Sequence, residues 1–87
     1  MAKIEIYSSP FCGFCFRAKD LLNKKGVAFE EIDVMMNPSR KAEMLQRSNG
    51  GRTVPQIFIN DRHIGGCDDL FAVEAKGELD ALLSAAT

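Results

Sequence analysis

The sequence predicts a small α/β fold with four strands, on three observations. A period-2 stretch near the start gives way to 3.6-residue periodicity and then to a second apolar stretch, a βαβ unit. Two short apolar runs separated by Asn60-Asp61 form an antiparallel hairpin in the second half. Helical start and stop signals lie between and after these units. The 87 residues are 46% hydrophobic and 26% charged, which fits one globular domain spanning 1–87.

Lys3-Ile4-Glu5-Ile6-Tyr7 alternates polar and apolar residues, a strand broken by Ser8-Ser9-Pro10. From Cys12 or Gly13 to Lys25 the spacing is helical. Cys15, Ala18 and Leu22 share one face with Leu21 beside them, and Gly26 is the stop. Val27 to Val34 is a second strand, with Phe29, Ile32 and Val34 as its apolar surface. Asn37-Pro38 starts a helix, Asn as cap and Pro where no amide donor is needed. It carries Met44 and Leu45 and ends at Asn49-Gly50-Gly51. Gln56 to Ile59 is the third strand and Arg62 to Ile64 the fourth. Asp68 is placed to cap a further helix that stops at Gly77, and Leu79, Leu82, Leu83 and Ala86 mark a last amphipathic one. The βαβ unit joins two parallel strands by a right-handed crossover. Met35, Met36 and Phe71 are expected in the core.

Lys plus Arg number 11 and Asp plus Glu 12, a formal net charge of −1. Proteins that neutralise phosphates carry a basic excess, so no nucleic-acid partner is expected. The longest stretch without Asp, Glu, Lys or Arg runs from Ile6 to Phe16, short of the ~20 apolar residues that span a bilayer. Lys3 and Glu5 interrupt the place of an apolar leader, so neither a membrane span nor secretion is expected. Cys12, Cys15 and Cys67 are an odd set, where a small secreted domain would carry even staples. The expectation is a cytoplasmic protein with reduced thiols, held together by packing alone.

Cys12-Gly13-Phe14-Cys15 lies where the first strand hands over to the helix. Residues three apart share a helical face, so their sulfurs can approach bonding distance. Cys12 falls at the first turn, where amide N–H groups lack helical partners and the dipole favours thiolate. Cys15 lies a turn further in, on the face of Ala18 and Leu22, and is expected to be buried and to keep its proton. One exposed nucleophile and one sheltered resolving thiol are the requirements of thiol–disulfide exchange. The competing reading is zinc on Cys12, Cys15, His63 and Cys67. Zinc pairs prefer hairpins or knuckles to a strand–helix junction, and His63 alternates with Arg62 and Ile64 in a short edge strand. Redox chemistry is therefore preferred.

In Thr53-Val54-Pro55 the proline opens a strand, which suits its missing donor. Only ~5–6% of X–Pro bonds in folded proteins are cis, so local physics alone predicts trans. Gly65-Gly66-Cys67-Asp68-Asp69 joins the hairpin to a helix start. Its glycines allow a sharp turn close to another group, and the amides that follow can hold a carboxylate. A tight turn with an Asp cap is the simpler account of the same residues.

Together Ile4-Glu5-Ile6-Tyr7, Cys12-Gly13-Phe14-Cys15, Thr53-Val54-Pro55-Gln56-Ile57-Phe58-Ile59 and Gly65-Gly66-Cys67-Asp68-Asp69-Leu70 resemble a glutaredoxin of the small bacterial type, along essentially the whole chain. The resemblance implies a thioredoxin fold, a four-stranded mixed sheet in order 2-1-3-4 flanked by helices. It implies a cis Val54–Pro55 bond beside Cys12, against the base rate. It implies glutathione as co-substrate, with Thr53 and Val54 pairing with its cysteinyl backbone and Cys67, Asp68 and Asp69 receiving its γ-glutamyl end. Phe14 belongs to the same implied site, with Gly13 in the active-site loop. Lys41, with Arg40 as second choice, matches the basic position for the glycyl carboxylate. The implied activity is reduction of glutathionylated and disulfide-bonded proteins, with Cys12 as nucleophile and Cys15 as resolving thiol, by a monomer.

Three departures stand out. Many relatives have Lys where this chain has Ser9, so one electrostatic aid to the thiolate is missing and a less acidic Cys12 is expected. Many dithiol members have Pro-Tyr between the cysteines, whereas Gly13-Phe14 resembles single-cysteine members. Many of those hold a [2Fe–2S] cluster, in a dimer, through the first cysteine and glutathione. Cys12 as a cluster ligand is therefore the alternative of another class. Finally, Cys67 can be an oxidisable thiol or simply a small side chain, and Phe11 with Phe14 can be an apolar landing patch unless Phe11 packs on the sheet.

Overall fold

The computed structural model describes residues 2–84. Strand β1 (Ile4–Ser8) is central, parallel to β2 (Glu30–Asp33) on one side and antiparallel to β3 (Gln56–Ile59) on the other. Strand β4 (Arg62–Gly65) pairs antiparallel with β3, which gives the order β2-β1-β3-β4. This is the mixed sheet that the resemblance implies. Asn60 and Asp61 turn the hairpin with φ of 52° and 66°, a conformation that Asn and Asp tolerate.

Helix α1 (Gly13–Lys24) crosses over between β1 and β2, and Gly26 leaves it with φ of 71°. Helix α2 (Pro38–Arg47) follows β2, and α3 (Cys67–Ala75) and α4 (Leu79–Ser84) complete the described chain. The main core joins Ile4, Ile6, Ile57 and Ile59 to Ala18, Leu21 and Leu22 of α1, Leu70 of α3 and Leu79 and Leu83 of α4. A second cluster, Tyr7, Ile32, Val34 and Phe58, takes Met44 from α2. Alternate residues of β1 thus serve opposite faces.

Several boundaries and environments differ from the sequence reading. The second strand is shorter than Val27 to Val34, because the β1–β2 pairing runs only from Glu5–Glu30 to Ser8–Asp33. Val27 and Phe29 lie outside that ladder and still pack on the main core. Met35 and Met36 are exposed rather than in the core: their amides are gathered by Asp33 Oδ1 in a turn that directs them outward. Asn37 occupies the cap position of α2, but its side-chain amide donates to the Asp33 carbonyl and caps nothing. Asp68 does not cap α3. The cap residue is Gly66, and Asp69, three residues on, accepts the Gly66 N–H at 2.9 Å. Phe71 does pack against the main core, whereas Phe11 is 90% exposed and does not pack on the sheet. Ala86, assigned to the last helix, lies outside the described residues.

Candidate active site

Cys12 caps α1, and its thiol replaces the usual hydroxyl or carboxylate there. Sγ accepts the N–H of Cys15 at 3.1 Å, and the thiol also points at the carbonyl of Val54, 3.6 Å away. It is half-buried, whereas Cys15 is only 1% exposed. Burial first, and then its hydrogen bond with Cys12, push the Cys15 thiol up to about 12. Two thiols one helical turn apart are thus made unequal by depth. All three cysteines are free thiols. Cys67 is buried as well, and burial also pushes its thiol up.

The Val54–Pro55 bond is cis, as the resemblance implies and local statistics do not. Two cavities meet at Val54. One, of about 310 Å³, is lined by Phe14, Thr53, Val54, Pro55, Cys67 and Asp68. The other, of about 260 Å³, is lined by Ser9, Val34, Met35, Lys41, Arg52 and Val54. The glycine pair lets the α3 turn approach the proline loop: a Cβ on Gly66 would lie 3.5 Å from the Pro55 carbonyl oxygen. Gly65 has φ of 119° and sits directly against the Asp69 carboxylate, so a side chain there has neither the backbone conformation nor the space.

Most of the expected site residues therefore converge, from the start of α1, the loop before β3, the start of α3 and one turn of α2. Asp69 does not line either cavity, because its carboxylate is engaged beneath Gly66. Arg40 is drawn to Glu43, 3.2 Å away, and lines neither cavity, whereas Lys41 lines the second. The zinc tetrad does not form. Among the described residues no three His, Cys, Asp or Glu side chains gather as a metal site, and His63 Nε2 is engaged by Gln56 Oε1 at 2.6 Å.

The family model described as Glutaredoxin matches residues 4–64. The chain belongs to the glutaredoxin family. It is 54% identical over 83 residues to Glutaredoxin 3 of Escherichia coli strain K12, covering 95% of this chain and 99% of that protein. The solution structure of glutaredoxin from Brucella melitensis superposes with a TM-score of 0.82 at 52% identity, covering 95% of this chain and 89% of that one. The crystal structure of a buckwheat glutaredoxin–glutathione complex superposes with a TM-score of 0.87 at 32% identity, covering 95% and 77%. The sheet is thus that of the thioredoxin fold, and glutaredoxins are thiol oxidoreductases.

Sequence reasoning missed two members of this glutaredoxin site. Arg52 joins Lys41 at the second cavity, and its signal was its place directly before Thr53-Val54-Pro55. Gln56 was read only as a strand residue, yet it is buried and donates to the Thr53 carbonyl at 2.9 Å. No sequence signal marks that bond, because it depends on where the loop folds back. Gly13 stands open, with nothing within 4 Å of a built Cβ, so the space there does not demand glycine.

Proposed function

We propose that this protein is a glutathione-dependent thiol–disulfide oxidoreductase, a single domain acting as a monomer in the cytoplasm. One observation carries the reading: the half-buried Cys12 sulfur sits at a helix start against the Val54 carbonyl, where two cavities meet, with Cys15 buried one turn on. The cavity holding Phe14, Cys67 and Asp68 suits a γ-glutamyl group. Asp68 faces its ammonium, and the first amides of α3 face its carboxylate. Lys41 and Arg52 suit the glycyl carboxylate. The Thr53 carbonyl is already engaged by Gln56, so the N–H and carbonyl of Val54 take the cysteinyl backbone. The buckwheat relative's complex with glutathione supports this choice of ligand.

In the reaction, Cys12 thiolate attacks the glutathione sulfur of a protein–glutathione mixed disulfide. The old S–S bond breaks, and the protein thiolate leaves and takes up a proton. A Cys12–glutathione disulfide remains. A second glutathione thiolate attacks its glutathione sulfur, which releases Cys12 thiolate and oxidised glutathione. With a protein disulfide, Cys12 forms the mixed disulfide and Cys15, on losing its proton, displaces the substrate thiolate and closes a Cys12–Cys15 disulfide. Two glutathiones then reduce that bond. Potentials of about −200 to −230 mV in such proteins lie within reach of the cytosolic glutathione pool.

The test is turnover of a glutathionylated peptide with glutathione, glutathione reductase and NADPH, on wild type, Cys12→Ser and Cys15→Ser. Wild type and Cys15→Ser are expected to turn over and Cys12→Ser to fall to background, while protein-disulfide reduction is mostly lost in Cys15→Ser and wholly lost in Cys12→Ser. Background rates for both wild type and Cys15→Ser would overturn the reading. A brown protein whose colour is lost in Cys12→Ser would then put cluster carriage, in a dimer with Cys12 and glutathione as ligands, in its place.

A further inference from the structure

Gln56 is a buried polar residue at the start of β3, directly after the cis bond. Its amide spans two elements, donating from Nε2 to the Thr53 carbonyl at 2.9 Å and presenting Oε1 2.6 Å from His63 Nε2 on β4. A carbonyl oxygen only accepts, so the NH2 half of the amide must face Thr53 and the oxygen must face the imidazole. That oxygen also only accepts, so Nε2 of His63 carries a proton. The histidine is itself steadied, its ring centroid 4.9 Å from that of Phe58. On the loop side the fit is close: a Cβ on Gly51 would come within 2.9 Å of Gln56 Nε2.

We propose that His63 is a positioning residue for the substrate loop: its Nε2–H fixes the Gln56 amide, which holds the Thr53 carbonyl inward and leaves the Val54 backbone facing the glutathionyl group. This rests on the glutathione reading and goes beyond it, since His63 lines neither cavity at the site. Without a donor at position 63 the Gln56 amide loses its outer tether and only the Thr53 carbonyl still orients it. The inner anchor of the loop is then weaker. The N–H on Cys12 comes from the Cys15 backbone and is untouched, and the reacting thiolate has no proton to donate to the Val54 carbonyl, so the loss falls on substrate affinity and not on the nucleophile.

Two substitutions separate the donor from the ring. His63→Phe keeps a ring over Phe58 without the donor, and His63→Gln restores an N–H donor without the ring. With a glutathionylated peptide, His63→Phe raises KM roughly three- to tenfold, the range of one hydrogen bond, while His63→Gln stays within about twofold of wild type. In both, kcat and the rate of Cys12 alkylation by iodoacetamide are unchanged. Equal KM losses in both variants, or a fall in kcat or alkylation instead, would overturn the proposal. Nitrogen-15 NMR of the free protein, with the imidazole neutral, gives a readout independent of turnover. The Nε2–H tautomer is expected, with faster exchange of the Gln56 side-chain and Val54 amides in His63→Phe. An Nδ1–H tautomer or unchanged exchange overturns the relay. Absence of turnover in wild type overturns only the glutathione reading, and the NMR result then decides the relay by itself.

Discussion

On one face of the sheet, Ile4, Ile6, Ile57 and Ile59 meet a layer of Ala18, Leu21, Leu22, Leu70, Leu79 and Leu83, all apolar. On the other face, Tyr7, Ile32 and Phe58 receive one fully buried side chain from α2, Met44. The rest of that second contact is polar. Arg47 forms a two-pronged pair with Glu5, Nη1 to Oε2 at 3.1 Å and Nη2 to Oε1 at 3.0 Å. It also donates to the Tyr7 hydroxyl at 2.8 Å and lies 4.1 Å over the Phe58 ring. Tyr7 in turn donates to Glu43. Burial, followed by the Glu43 hydrogen bond, raises Tyr7, so it stays a phenol donor. The difference bears on function, because the apolar face sinks Cys15 beside Ala18 and Leu22, while the polar face fixes the helix that carries Lys41. Non-directional packing suffices to bury a thiol, whereas placing a cation over a cavity calls for directional contacts.

The sharpest way to break this contrast is to open both faces and compare the losses by chemical denaturation. Leu22→Ala, at a position with no exposure, should cost about 3 kcal/mol through lost transfer energy and an unfilled cavity. Arg47→Met should cost about 2 kcal/mol, since it leaves a nearly buried Glu5 carboxylate with only the more distant Lys3, 4.0 Å away. Adding Glu5→Leu to Arg47→Met should recover most of that loss, because an apolar pair no longer needs a partner. If Arg47→Met is silent, or the double variant is worse than the single, the polar face is not held by this pair.

A smaller effect sharpens the comparison at low pH. Lys19 first, and then Ser8, hold Glu31 below its usual value of 4.5, and on the α2 face Tyr7 and then Arg40 do the same for Glu43. A depressed folded value means that the unfolded chain takes up protons first as pH falls. The stabilisation is complete above about 4.5 and is lost as pH drops through the lower folded values. Lys19→Met should flatten that acid limb in a denaturation series. It should do so only partly, because Glu31 is 43% exposed and Glu43 keeps its own partners. An unchanged limb would show that Lys19 does not matter there.

Legibility follows the same division. The strands, helices and hairpin turn could be read because each depends on neighbours within a few residues, and so could the thiol pair, set by a three-residue spacing on one helix. Glu5 shows where that stops: it reads as the outward half of an alternating strand, yet it is buried under Arg47, 42 residues away. Asp69 and Asp68 show it at the site. Both read as recipients of the γ-glutamyl end, yet Asp69 turns back to Gly66 while Asp68 lines the cavity.

By itself the sequence determined the α/β class, the inequality of Cys12 and Cys15 and the Thr53-Val54-Pro55 and Gly65-Gly66 segments near the thiols. Periodicity, helix phase and turn chemistry are local, and the resemblance rested on short segments of unchanged order. The tertiary structure decided which polar residues face the cavities and which hold the frame: Arg52 rather than Arg40, Asp68 rather than Asp69, and Gln56 behind Thr53. The physical reason is directional. A hydrogen bond or ion pair is made only when distant segments meet at a few ångströms in the right orientation, and no residue announces its partner from its own neighbourhood.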